Sequence, residues 1–318
     1  MPASEQLTSP EAGVTEATLS SNPARGRVAA NLSCMAAMMV WAIGFPLVSV
    51  LLPVMSPLAL TAGRMAIAAL SMLPIWLLLE GPQTLRHAPW GRGILIGAFG
   101  FGTGAYLLVE AQSLTDGVTV AIMSAMMPVV GIGLECLLDG RRLTPGLIAG
   151  LGLSLLGGLL TCAGGLGQVH IGLGAGAVLL SILFYCWASR ETVKGLTSLS
   201  PLGRTALTLA GSSLSTGAAY GISTFWHGSG IDSAHFGPRE VVYLGLYGCG
   251  SLAVSQILWI VGVARLGVGL AAMHINAAPF YVMLLVAAGG GGWNGMQVAG
   301  ALVVGLGVII AQGLLSRA

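Results

Sequence analysis

Four ionisable residues stand inside long apolar runs: Arg64, Glu110, Glu135 and His274. A charge at the centre of a hydrocarbon layer costs at least about 2.5–3.5 kcal/mol, so each needs a partner or a task. Arg64 suits a carboxylate, because its planar guanidinium offers two parallel donors. Glu110 suits an amine or a coupling proton. Arg64 lies seven residues after Pro57, about 10 Å below one end of its helix, and Glu110 about 7 Å below the same end of the next. Similar depth leaves two readings: a structural ion pair, or a site holding a zwitterion at both ends. Tyr106 and Glu110 are four apart and share a helix face. Glu135, four residues before Asp139, reads as a group that reaches the interface or pairs with Arg141 or Arg142. His274 reads first as a core residue. Its case as a ligand rests on Asn276 and on Pro279, since a proline removes a backbone hydrogen bond and can expose a carbonyl to a cavity. Met127 and Pro128 hold the corresponding place in an earlier run. Trp41, Phe45, Tyr106, Tyr185, Trp187, Tyr247 and Trp259 are candidate walls for a flat-sided pocket. Trp226 and Trp293, near the ends of runs, suit an interfacial belt.

These residues need a frame. The chain has 318 residues, 55% hydrophobic and only 8% charged, where a soluble chain carries about 25% charged residues. Mean hydropathy is +0.88. Such numbers exclude an ordinary soluble enzyme, a disordered chain and a nucleic-acid binder, and point to spanning helices. Gly is 49 of 318, an excess that lets helix backbones approach where lipid supplies no hydrophobic drive. The five cysteines (Cys34, Cys136, Cys162, Cys186, Cys249) have no metal-ligand or CxxC spacing and read as small buried residues.

Breaks at Pro, Gly clusters and charges divide the chain into ten candidate spans near 29–52, 57–79, 92–113, 117–138, 145–164, 171–189, 202–225, 240–263, 267–289 and 295–314. Each approaches the roughly 20 apolar residues a bilayer core requires. With a cytoplasmic N-terminus, 11 of the 13 basic residues fall in inside loops and only Arg239 in an outside loop, a strong positive-inside asymmetry. The polar stretch 1–28 is expected to be a disordered cytoplasmic tail, and 315–318 a short cytoplasmic tail. Ten spans divide into two halves of five, 29–164 and 171–314. Because five is odd, the halves must lie in opposite orientations, as inverted repeats do. Pro128 and Pro279 recur 151 residues apart, and Ala149-Gly150 with Gly157 matches Ala299-Gly300 with Gly307 at an offset of 150.

At this level the chain resembles the EamA family of the drug/metabolite transporter superfamily. The resemblance rests on Trp41-Ala42-Ile43-Gly44-Phe45, on Pro57 followed by Arg64, on Pro128 mid-span and on Leu143-Thr144. In the second half it rests on Leu246-Tyr247-Gly248 to Leu258-Trp259 and on Ala264-Arg265-Leu266-Gly267. Arg141 stands where the family often has Glu, and the loop after the ninth span, Gly289 to Gly292, has no acid. The resemblance implies a secondary carrier of small organic metabolites, commonly an exporter of amino acids or related solutes, with a cavity between the halves, in a bacterial inner membrane.

The reading is therefore an all-α integral membrane protein of ten helices. It would move a small zwitterionic or neutral solute by alternating access and work as a monomer. Its partners are that solute, the lipid bilayer and, as a candidate, protons; no nucleic acid, cofactor or metal is expected. Expected binding residues are Trp41, Phe45, Arg64, Tyr106, Glu110, Met127, Tyr185, Trp187, Tyr247, Trp259, His274 and Asn276, with helix breaks at Pro128 and Pro279. The alternative is a proton-coupled multidrug or organic-cation exporter using Glu110. A remote one is an intramembrane enzyme, which the lack of HExxH, CxxC or a convergent nucleophile–base pair disfavours. Glycine runs such as Gly100-x-Gly102-x-Gly104 read as helix packing, since none follows a strand.

Overall fold

A computed structural model describes residues 23–115, 120, 123–161, 172–288, 292 and 294–313. Most of the expected N-terminal tail, the C-terminal tail, Cys162, Trp293, Gly289 to Gly291 and Arg317 lie outside the described residues. The described residues are helical, apart from connections and one antiparallel bridge between Met55 and Ile231.

The helices are α1 (Gly26–Leu51, with a turn at Ile43), α2 (Pro57–His87), α3 (Trp90–Leu114), α4 (Met127–Asp139), α5 (Pro145–Thr161), α6 (Leu173–Gly195), α7 (Pro201–His227) and α8 (Pro238–Leu266). Helix α9 is broken: Val268–Ala272, a 3-10 turn Met273–Ala277, then Ala278–Ala288. Helix α10 is Gly295–Ala311. By length and hydropathy α1, α2, α3, α6 and α8 can cross a membrane, and α5 and α10 are shorter apolar helices. Helix α7 is long but rich in hydroxyls. Thr208, Ser212 and Thr216 donate back to the carbonyls of Arg204, Thr208 and Ser212, so these three hydroxyls are met within the helix. Helix α2 runs past its expected end, bending at Gly81, whose φ of 79° only glycine adopts freely.

Two helix starts share one design. Ser56 caps α2 by accepting from the Ala59 N–H, and Ser200 caps α7 by accepting from the Gly203 N–H; Pro57 and Pro201 follow at the first helical position, where the missing N–H is not needed. Arg64 and Thr208 are each eight residues beyond their cap serine. Two other helices widen into π-helix, α3 over Ile96–Gly102 and α8 over Leu246–Val254. Hydroxyls cover carbonyls at or across from the widened turns: Ser212 donates to Gly97 at 2.9 Å and Ser251 to Trp41 at 3.1 Å.

Packing is backbone against backbone. A Cβ on Gly157 of α5 would stand 2.6 Å from the Gly300 carbonyl oxygen of α10. On α3, the glycines of the Gly100-x-Gly102-x-Gly104 run press on Ala188, Ser215 and the Ser181 carbonyl, which is the close approach that small residues permit. Leu70, Leu78, Leu137, Leu173, Phe225 and Leu302 point outward and are exposed.

One end of the bundle is basic. There Arg190 pairs with Asp139 and Glu191, Lys194 with Asp139, and Arg92 with Glu191 at 3.5 Å. The Arg190 guanidinium holds the Asp139 carboxyl down at about 2. Asn31 and Gln312 exchange two hydrogen bonds, 3.1 and 2.7 Å, which brings the start of α1 to the end of α10. At the other end the α1–α2 and α7–α8 connections pair: Ser56 N–H donates to Gly230 at 2.7 Å and Asp232 N–H to Val54 at 2.9 Å.

Candidate functional site

A cavity of about 70 Å³ lies among the helices. Helix α1 contributes Met38 and Trp41, α2 Arg64, α3 Phe101 and Leu108, α4 Met127, α6 Ser181 and Tyr185, and α8 Ser255, Gln256 and Trp259. Residues from both halves of the chain meet here, on helices whose glycines allow the approach.

The wall is mostly aromatic and tied down. Trp41 stands edge-on to Phe45 at 4.8 Å between centroids, and Tyr185 edge-on to Phe101 at 5.1 Å. Trp259 donates its indole N–H to Ser189 Oγ at 2.9 Å, and Tyr185 Oη donates to Gln256 Oε1 at 2.6 Å. Ser181 Oγ donates to the Gly104 carbonyl at 2.6 Å, and Ser255 Oγ to Leu252 at 3.0 Å. Most wall protons are therefore already engaged.

Two are not. Arg64 is 5% exposed; it donates through Nη1 to Tyr247 Oη, and its guanidinium carbon sits 4.7 Å above the Tyr247 ring. Its Nε has no partner. Gln256 is 2% exposed, and its Nε2 has none either. Buried donors are almost always satisfied, and leaving one unmet costs about 1–3 kcal/mol. Both side chains line the cavity.

Beyond Arg64 the lining continues. Trp41, Arg64 and Leu108 also border a chamber of about 20 Å³ with Phe45, Val48, Gln112 and Tyr247. Gln112 in turn borders a wide depression of about 630 Å³ at the Gly230–Asp232 end. Toward the basic end α4 and α9 close together. Glu135 pairs with Arg141 and accepts from the Gly269 N–H at 3.2 Å. Gly267, at φ 82°, and Gly269 leave no room for a side chain against Glu135 and Ile132.

Of the expected residues, Trp41, Arg64, Met127, Tyr185 and Trp259 meet at the cavity, and Phe45 and Tyr247 at the adjoining chamber. The others stand elsewhere. Arg64 and Glu110 do not pair: Arg64 turns to Tyr247. Leu108, Val109 and Gln112 face the chamber, while Glu110 sits beside Tyr106 one turn back. Similar depth does not set rotation about the axis, and the helix phase separates the two. Trp187 packs edge-on to Phe99 at 5.7 Å. His274 Nδ1 bonds the Ala271 carbonyl at 3.1 Å. Asn276 Nδ2 bonds Ser154 Oγ at 3.0 Å and its carbonyl at 3.1 Å, joining α9 to α5. Pro128 and Pro279 are each the second residue of a helical piece that follows a break, Met127–Asp139 and Ala278–Ala288. Gln256, Ser255, Phe101 and Met38 were not expected. The one legible signal was Gln256, an amide in the apolar stretch Leu252–Val263.

Residues 28–163 match the model of the EamA-like transporter family. Among solved structures 27 chains match. One, described only as "Crystal structure of protein", superposes with a TM-score of 0.75 at 18% identity, covering 92% of this chain and 98% of its own. That likeness shows a shared fold. No curated protein matches.

Proposed function

We propose, from the match of residues 28–163 to the EamA-like transporter family model, a secondary carrier of small carboxylate-bearing metabolites. The observation that carries the reading is the central cavity with its unmet donors on Arg64 and Gln256. A transporter of this family implies a small-molecule solute and a lipid bilayer.

Ten crossings in two inverted halves fit the helices. The cap serines Ser56 and Ser200 open α2 and α7, the π-helical stretches fall in α3 and α8, and the broken pieces fall at α4 and α9. Each pair joins equivalent places in the two halves. The basic end then faces the cytoplasm by the positive-inside asymmetry, and the Glu135 contacts close that side. In this state the cavity borders the opposite face through Arg64 and Gln112. Opening of the α4–α9 contact would expose it to the cytoplasm, giving alternating access around a midplane site. A bacterial inner membrane and a monomer accord with a pathway built by one chain.

Counterflow in proteoliposomes tests this. Protein preloaded with members of a panel of amino acids, organic acids, amines and nucleosides is expected to accumulate the matching tracer. No exchange across the panel, with the protein monodisperse, would sink the carrier reading. Glu110 lies off the cavity lining, which leaves the proton-coupled cation exporter without a geometric basis.

A further inference from the structure

Resting on that transport reading, we propose that the preferred cargo is an organic monoanion: one carboxylate on an apolar or aromatic body, with no free ammonium group. Arg64 is the only charged side chain lining the cavity among the described residues; no Asp, Glu or His joins it. Its charge is met by a hydroxyl and a ring face, both from Tyr247. Those are dipole and quadrupole partners, not a counter-ion. A buried cation without an anion is expensive, and a bound carboxylate supplies the missing charge. Nε of Arg64 and Nε2 of Gln256 are the donors left for its oxygens.

The same wall has no acid to balance an ammonium among the described residues. Such a group would need acceptors and a negative charge, and would sit close to Arg64. The other polar side chains of the lining, Ser124, Ser181, Tyr185, Ser255 and Gln256, are neutral, and a hydroxyl or an aromatic face offers an ammonium a dipole or quadrupole but no charge to offset the repulsion of Arg64. The fold also explains why the charge is single. At the position equivalent to Arg64, eight residues beyond the second cap serine, stands Thr208, whose hydroxyl is held by the Arg204 carbonyl. Among the described residues the second half of the chain therefore adds no second cation to the lining.

Charge then sets direction. With no acid in the lining, each turnover carries one negative charge. An inside-negative potential drives that charge out of the cell whichever way the protein faces, with about a fifty-fold shift in the equilibrium gradient per 100 mV.

The test uses full-length protein in proteoliposomes and three matched probes: N-acetylphenylalanine (anion), phenylalanine (zwitterion) and phenylalaninamide (cation), with protein-free vesicles subtracted. Anion counterflow at least ten-fold faster than that of phenylalanine is expected, none for the amide, and loss of at least a hundred-fold in Arg64→Gln. Because Arg64→Gln removes a buried charge from the bundle, Gln256→Leu is measured too, with about a ten-fold loss expected; it also takes the acceptor from Tyr185, so a monodisperse protein that still melts cooperatively, at a somewhat lower temperature, certifies the fold. In wild-type vesicles, a potassium diffusion potential, negative inside, should speed exit of the anion. Phenylalanine moving as fast as or faster than the anion overturns the proposal and leaves the carrier standing. So does net anion exit indifferent to potential. Movement of only other panel solutes has the same meaning, whereas silence across the whole panel overturns the carrier reading itself.

Discussion

Gly150 of α5 and Gly307 of α10 lie backbone to backbone: a Cβ on Gly307 would stand 2.6 Å from the Gly150 carbonyl oxygen, and one on Gly150 would strike the Gly307 carbonyl oxygen. One helical stretch away, Gly157 meets Gly300 in the same manner. The contacts exchange under the offset of 150 that relates the two helices in sequence, the pattern the proposed inverted halves would give. Gly150→Leu and Gly307→Leu should each destabilise the bundle by about 1–3 kcal/mol or more through overpacking. Gly152→Leu and Gly305→Leu, which meet nothing within 4 Å, should leave the melting temperature in detergent within a degree or two. Equal behaviour of the two pairs would refute a tight α5–α10 contact.

Arg64 and Tyr247 form the polar edge of the cavity. Tyr247→Phe keeps the ring beneath the guanidinium and removes one hydrogen bond, so solute affinity should fall about three- to ten-fold, in line with about 0.5–1.5 kcal/mol. Arg64→Lys keeps a charge but not the planar fork and should fall further. Titration of solute-dependent thermal stabilisation measures both.

Glu110→Gln should leave solute exchange within about two-fold, because the side chain faces Tyr106 and not the cavity. Counterflow at an imposed pH gradient checks this; abolished exchange would return Glu110 to the site.

Glu135 holds α4 against α9 through Arg141 and the Gly269 N–H. Glu135→Ala removes both contacts and should favour opening at the basic end. Cys186, buried and 3.9 Å from the Met127 carbonyl, is a native reporter. Its maleimide labelling, located by mass spectrometry, should rise several-fold in the variant. Unchanged protection would mean that the Glu135 contacts do not govern access.

Asp139 gives a pH dependence with a definite sign. Its carboxyl is held at about 2 by Arg190, below the ordinary 3.8. A lowered folded value stabilises the protein above about pH 4, and the gain is lost as pH falls from about 4 to about 2. The group is near the surface, so the effect should stay below about 1 kcal/mol. Melting of wild type and Asp139→Asn should differ by a constant amount from pH 5 to 8 and converge below pH 4.

What the sequence decided by itself were the features that follow from composition and spacing along one dimension: an all-helical membrane chain, the places where helices break at Pro128 and Pro279, and Arg64 as a charge that needs a partner. Apolar runs must satisfy their backbone internally, and that demand is local. Tertiary structure decided who the partner is. Arg64 met Tyr247, 183 residues away, rather than Glu110. The choice depends on helix rotation and on the π-helical turn Leu246–Val254 that presents Tyr247, and a sequence fixes neither until glycines such as Gly248, pressed on the Arg64 carbonyl, have set how two backbones meet. The unmet amide of Gln256 was hidden for the same reason: an unsatisfied donor is a property of everything around it, and it exists only once the helices have packed.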